Sequence, residues 1–129
     1  MRADVNSALD GHLNSLSNLP PVAWPNTEFA ETAGLYLRVD NLFGDGELLD
    51  LDMRQQQPGV YQISIFAPLN TGRAEVDALA DRIVTHFLQA APLTANGRNI
   101  YVRRAYTGPA VAQESHFFVP VTVGYNTQF

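Results

Sequence analysis

Apolar residues recur every three or four positions in two parts of the chain, and this spacing predicts two amphipathic helices. The first covers residues 3–18, where Val5 and Leu9 begin the apolar stripe and Pro20 follows its end. The second covers residues 73–90 and is the stronger, because polar side chains fill the remaining positions. We expect its stripe to pack against a sheet; the stripe comprises Val76, Leu79, Ala80, Ile83, Phe87 and Leu88.

Elsewhere apolar and polar residues alternate, which predicts β-strands. The first two strands flank the turn 43–47 and are predicted to form a hairpin, and a second turn at 55–59 leads into the third strand. Pro120 lacks the backbone N–H of a ladder and favours an edge position or a bulge for the last strand. The five predicted strands cover residues 35–42, 48–54, 60–67, 98–106 and 115–125.

The resulting order, α-β-β-β-α-β-β, contains no repeated βαβ unit and argues against a doubly wound nucleotide-binding fold. It predicts one α+β domain over residues 1–129, with a mixed, mainly antiparallel five-stranded sheet and two helices packed on one face. Residues 19–34 contain three prolines and predict an extended connector. We expect Trp24 and Phe29 to anchor that connector to the core.

Charged residues make up only 16% of the chain, and all 8 basic residues are arginines. Low charge is typical of a surface that contacts other subunits, or of loops rich in uncharged polar residues. Arginine suits interfacial ion pairs better than lysine does, and a GC-rich coding sequence explains the absence of lysine equally well. The net charge of −5 argues against a nucleic-acid reader, which needs a basic footprint. The absence of cysteine excludes disulfides and thiolate zinc sites, and no apolar signal-peptide stretch opens the chain, so we expect a soluble cytoplasmic protein.

The stretch "APLNTGRAEV", residues 67–76, joins a predicted strand to a predicted helix, which is where many proteins bind phosphate. A phosphate-binding loop needs several glycines and a lysine, whereas this turn has one glycine and no lysine. Glu75 also places a negative charge where the phosphate would lie. The pattern therefore predicts an ordinary helix start, capped by Asn70, Thr71 or Gly72.

Acidic residues cluster around the first predicted hairpin. Asp50 and Asp52 lie two apart on a strand and so point the same way, with Asp45 and Glu47 just before them. Such carboxylates can bind a divalent cation, or they can form a solvated or interfacial face. His12, His86 and His116 are far apart in sequence and match no metal-binding spacing. The sequence therefore predicts no catalytic residue, no metal site and no cofactor.

The segment "YVRRAY", residues 101–106, places Arg103 and Arg104 between tyrosines. Regular alternation would point the two arginines to opposite faces of the strand. They could stack on nucleic-acid bases, but an ion pair with the acidic hairpin, within or between subunits, is more economical in an acidic chain. We expect the subunit contacts to involve Arg38, Asp40, Asp50, Asp52, Arg103 and Arg104.

The order of landmarks adds a family resemblance. "VAWPNTEF" follows the first helix, and "GVYQISIFAP" leads into "NTGRAEVDALADRIVTHF" before two closing strands. In order, spacing and length the chain resembles the tail terminator proteins of long-tailed bacteriophages, the lambda-type minor tail protein family. The resemblance covers nearly the whole chain, although none of its motifs is catalytic.

The resemblance implies a structural virion protein, without enzymatic activity, that forms a homohexameric ring on the head-proximal end of the tail tube. Its implied partners are copies of itself, the tail tube protein and a head-completion or connector protein, with DNA passing through the lumen. We expect Asp45 and Glu47, and Gly108 and Gln113 in the loop 107–115, to face the tube, the connector or the lumen. The alternatives are another neck or tail-tube component, and a small divalent-metal or ligand-binding domain.

Overall fold

The computed structural model describes residues 2–24, 34–43, 47–48, 55–68, 74–90, 92–95, 98–112 and 116–128. Its elements are, in chain order, α1 (Arg2–Asn14), β1 (Val22–Ala23), β2 (Tyr36–Phe43), β3 (Glu47–Leu48), β4 (Gln55–Pro68), α2 (Ala74–Leu88), β5 (Leu93–Ala95), β6 (Arg98–Thr107), β7 (Val111–Ala112) and β8 (His116–Gln128). The two helices and the mixed sheet confirm the predicted α+β class. Neither of these helices is long and apolar enough to cross a membrane.

The sheet is wider than the predicted five strands. Six strands follow one another in the order β1-β2-β4-β8-β6-β5, with β3 paired to β4 and β7 paired to β8. Among the described strands only β1 and β2 are parallel, so the sheet is mixed and mainly antiparallel as expected. The additional strands have only two or three residues each, which is too short for apolar alternation to identify them.

The predicted turn at 55–59 is wrong, because β4 runs without interruption from Gln55 to Pro68. The described residues show no hairpin between β2 and the strand predicted at 48–54: β2 pairs with β4, from Tyr36 opposite Phe66 to Phe43 opposite Gly59. Glu47 and Leu48 pair with the start of β4 instead, and residues 49–54 lie outside the described part. Proline and glycine at 58 and 59 gave a turn signal that the tertiary pairing overrides.

The last strand, β8, is central rather than at an edge, since β4 pairs along one side and β6 along the other. Pro120 is tolerated because it lies between the segment of β8 that pairs with β6 and the segment that pairs with β7. Beyond Thr107 the chain leaves β6, and the Gly108 N–H donates to the Pro120 carbonyl at 2.8 Å. Val111 and Ala112 then resume pairing with β8, so the predicted loop 107–115 contains a short strand.

Both helices pack on one face of the sheet, as predicted. On that core face Leu37, Ile63 and Val121 are fully buried, and Val5, Leu9 and Ile83 of the helices lie against them. Leu88 departs from the predicted stripe and is 55% exposed, because it lies 100° around the helix from the buried Phe87.

The helices end earlier than the sequence pattern suggests. Helix α1 ends at Asn14 rather than at residue 18, and Asn18 has a φ of 58°, a left-handed conformation that no α-helix continues. Trp24 of the connector is half-buried against the core as expected, whereas Phe29 lies outside the described residues.

Candidate functional site

The outer face of the sheet, opposite the helices, carries the arginines that the sequence analysis selected. Because facing residues of neighbouring strands share a face, the register arranges this surface in rows across the sheet. One end row places Tyr36, Phe66 and Phe118 side by side on β2, β4 and β8. Towards the other end, a second row consists of Leu42, Val60, Gly124 and Arg104.

The aromatic end of the outer face is closed. The rings of Tyr36 and Phe66 stack at 4.9 Å, and Phe66 meets Phe118 at 5.2 Å. Tyr36 and Phe66 are each only 6% exposed, and the Ser64 side chain between the strands is fully buried. This end therefore behaves as a second small core, which explains the apolar residues on the outer side of β4.

Arg38 and Asp40 lie together on β2 beside this aromatic end. The Arg38 Nε lies 3.4 Å from the Asp40 carboxylate, and the Arg38 guanidinium lies 5.3 Å from the centre of the Phe66 ring. About half of each charged side chain remains exposed. The two predicted interface residues therefore pair with each other inside one subunit, and solvent screens that pair strongly.

The other end of the outer face is open and forms a groove of about 620 Å³. We call this the outer groove. Gly124 leaves its floor without a side chain, and the Arg104 side chain leans across that gap: a Cβ added to Gly124 would lie 3.0 Å from Arg104 Cγ. The groove is lined by Leu42, Pro58, Gly59, Val60, Arg103, Arg104, Gly124, Tyr125 and Asn126.

Arg103 and Arg104 both line the outer groove, so the prediction that they face opposite sides of the strand is wrong. The pairing of β6 with β8 shifts between Val102 and Arg104, which inserts Arg103 as an extra residue. Such a bulge breaks the two-residue alternation locally and turns the side chain of the extra residue. Arg104 also lies 5.8 Å from the centre of the Tyr106 ring.

Most of the acidic residues selected from sequence lie outside the described part of the chain, namely Asp45, Asp50 and Asp52, and so does Gln113. Glu47 is the first residue of β3 rather than part of a turn. Gly108 is held by its bond to Pro120, and a Cβ there would come within 3.0 Å of the Pro120 ring.

For the stretch 67–76, the structure shows α2 beginning at Ala74 with the exposed Glu75 in its first turn.

The two helices meet through a histidine pair, although sequence distance suggested separate histidines. The rings of His12 and His86 stack at 4.0 Å and only 7° from parallel. Each Nε2 donates to the other residue's backbone carbonyl, at 3.0 and 2.7 Å, so both rings carry their proton on Nε2. Ser15 Oγ donates to the His12 carbonyl at 2.6 Å. Burial lowers the pKa of His12 below its usual value. The hydrogen bond to the His86 carbonyl opposes this shift, and electrostatic repulsion from the His86 ring adds to it.

A second polar cluster connects α1 to the core face of the sheet. The Tyr61 hydroxyl donates to the Asp10 carboxylate, and the Tyr125 hydroxyl donates to Asn41 Oδ1 at 2.6 Å. Asn41 in turn donates to Asn6 at 2.7 Å. Burial raises the pKa of Asp10, and burial together with Asp10 raises the pKa of Tyr61. These bonds satisfy buried polar groups and fix the position of α1.

Neither cluster suggests chemistry. In the described ranges, no three histidine or acidic side chains are grouped so as to hold a metal ion. Both histidine Nε2 atoms donate hydrogen bonds to backbone carbonyls. Asp10 and Tyr61, whose pKa values are raised, are hydrogen-bonded to each other beside helix α1. What the described surface offers instead is the outer groove, with apolar side chains at one end and arginines at the other, an arrangement suited to binding a protein surface.

Comparison with known proteins identifies a family and a fold. The family model described as phage tail terminator protein matches residues 4–125. One solved chain matches all of this chain and 96% of its own length, with a TM-score of 0.80 at 24% identity, which supports the fold alone. No curated protein matches the sequence.

Proposed function

Because the chain belongs to the phage tail terminator family, we propose that it forms a homohexameric ring on the head-proximal end of the tail tube. The ring stops polymerisation of the tube and offers the surface that joins the head. The family is one of structural phage-tail proteins, so a role in the virion tail is established at that level. The family match carries the proposal, since it spans both helices and almost the entire sheet.

The distribution of exposed apolar residues supports a ring subunit. A ring of identical subunits needs two different, complementary patches on each copy. Leu42 is 62% exposed on β2 and Leu88 is 55% exposed on α2, on opposite sides of the molecule. Tyr106 on β6 and Val111 on β7 are 47% and 41% exposed and extend the apolar surface beyond these two positions.

We further propose that at least one arginine–carboxylate pair crosses the boundary between subunits. Arg103 and Arg104 are the best placed cations, because they line an open groove, whereas Arg38 already meets Asp40 within the subunit. Asp50 and Asp52 remain candidate partners. Asp45, Glu47, Gly108 and Gln113 are proposed to face the tail tube protein, the connector or the lumen.

The lumen is proposed to let DNA pass without sequence-specific binding. The chain carries a net charge of −5, so most of its surface repels phosphates rather than holding them. Arginines used at subunit contacts would also be unavailable to the DNA.

Native mass spectrometry of the purified protein tests the ring. A closed species of six times the 14.2 kDa chain is expected, whereas open-ended tubes would favour a tube component and a persistent monomer would exclude a free ring. Electron microscopy of phage lacking this gene tests the role. Tubes longer than normal, shortened again when the gene is supplied in trans, are expected; tubes of normal length would contradict termination.

A further inference from the structure

The outer groove has a polarity that a partner must match. Its central row crosses four neighbouring strands, from Leu42 through Val60 and Gly124 to Arg104. At about 4.8 Å between strands, the backbones of Leu42 and Arg104 are roughly 14 Å apart. Because Arg104 leans back over Gly124, the apolar and cationic ends of the row are separated by only about 10 Å.

Helix α2 presents a pair of exposed side chains with the same separation. Asp81 and Leu88 are seven residues apart, which places them on one side of the helix and about 10 Å apart along its axis. Leu88 is 55% exposed, an unusual position for a leucine at the end of an otherwise well buried stripe. Asp81 also borders a shallow depression with Leu16 and Thr85, where an incoming side chain has room.

The charges of the two surfaces are opposite. The charged residues that line the outer groove are Arg103 and Arg104. The exposed charged residues on α2 are Glu75, Asp77, Asp81 and Arg82, so this surface is mainly acidic. The two surfaces lie on opposite sides of the sheet of one subunit, so a groove and a helix from the same chain cannot meet.

We propose that the outer groove receives helix α2 of a second copy of this chain, with Asp81 of that copy on Arg104 and its Leu88 against Leu42 and Val60. The contact is head-to-tail, because each copy offers a groove on one side and a helix on the other, and repeated contacts of this kind close into a ring when the rotation allows it. The inference rests on the proposed ring and names the surfaces that build it.

Charge exchange tests the contact. Arg104→Glu and Asp81→Arg should each raise the dissociation constant of the ring by about tenfold or more, because each places like charges together. The double variant R104E/D81R restores the opposite charges and should recover most of the lost affinity. Glu75→Arg is the matched control, with the same charge change on another side of α2, and should leave assembly unchanged. Circular dichroism confirms that each variant is folded.

The apolar half has its own test. Leu88→Ser should also weaken the ring about tenfold while leaving the fold intact, because that side chain is mostly exposed in the single subunit. A wild-type ring that R104E and L88S leave intact would overturn this contact but not the ring. Rescue of R104E by Asp52→Arg instead of D81R would assign Arg104 to another partner, and failure of the double variant would show that the two residues do not meet. A wild-type protein that never associates would remove the ring and this contact together.

Discussion

Two glycines of this chain lie in opposite environments, so an added methyl group should have opposite effects. A Cβ on Gly59 would overlap the ring of Tyr125, which is buried and donates a hydrogen bond to Asn41. Gly59→Ala should therefore cost about 1–3 kcal/mol in the free energy of unfolding. Gly11 lies exposed within α1 with no atom within 4 Å of the added group, and Gly11→Ala should stabilise by about 0.5–1 kcal/mol. Urea denaturation of both variants measures the difference; a shift of the same sign in both would contradict this account.

The hydroxyl of Tyr61 provides a second test with a single atom. Tyr61→Phe removes the donor to Asp10 and leaves a half-buried carboxyl with one partner fewer, so a loss of about 1–3 kcal/mol is expected. Tyr106→Phe serves as the control, because that ring is 47% exposed and its hydroxyl is in no described hydrogen bond with protein. Equal urea midpoints for the two variants would show that the Tyr61 bond contributes nothing.

At the scale of elements, the sequence predicted the helices and strands whose apolar residues recur periodically. It did not predict the features that depend on how the strands pair. The helical stripe through Val76 and Ile83 and the alternation through Ile63 and Val121 were both predicted, because burial of one face imposes a period on the sequence. The continuity of β4 through residues 58 and 59 was not predictable. Gly59 there makes room for a tyrosine 66 positions later, which no local signal records.

The contact between the two helices should make stability depend on pH. The pKa of His12 is lowered from 6.5, so the unfolded chain takes up a proton at a higher pH than the folded one. Stability is therefore complete above pH 6.5 and falls as the pH drops below that value, until it levels off below the pKa of the folded state. His12→Gln keeps an N–H donor without this titration.

Urea midpoints of the wild type and His12→Gln, measured at about pH 7.5 and about pH 5.5, test this dependence. The wild type should lose more stability between the two conditions than the variant does. Asp10, whose pKa is also shifted, is present in both proteins, so its contribution cancels in the comparison. Parallel losses would show that His12 is not responsible.

At the scale of the whole molecule, the two arginines of the outer groove were selected from the sequence, but their geometry was not predictable. Arg103 and Arg104 were notable as cations in an acidic chain, and regular alternation separated them wrongly. A bulge of one residue brings both to one groove, and a bulge leaves no mark in a single sequence. The opposite surface on α2 was also not predicted, because Leu88 was assigned to the apolar stripe, whereas it lies 100° around the helix from the buried Phe87 and is exposed.

In a contact that combines an ion pair with an apolar pair, salt should weaken the contribution of the ion pair and leave that of the apolar pair. Screening shortens from about 10 Å at 0.1 M salt to about 3 Å at 1 M, so the Arg104–Asp81 part of the association should weaken as salt rises. The Leu88 part depends on buried apolar area, which salt does not screen. Ring affinity in the wild type should therefore fall with salt and reach a plateau, whereas in R104A it should start near that plateau and stay almost flat. In Leu88→Ser the full salt dependence should remain, at lower affinity throughout. Sedimentation at several salt concentrations measures all three proteins, and a salt dependence that persists unchanged in R104A would show that other charges hold the ring together.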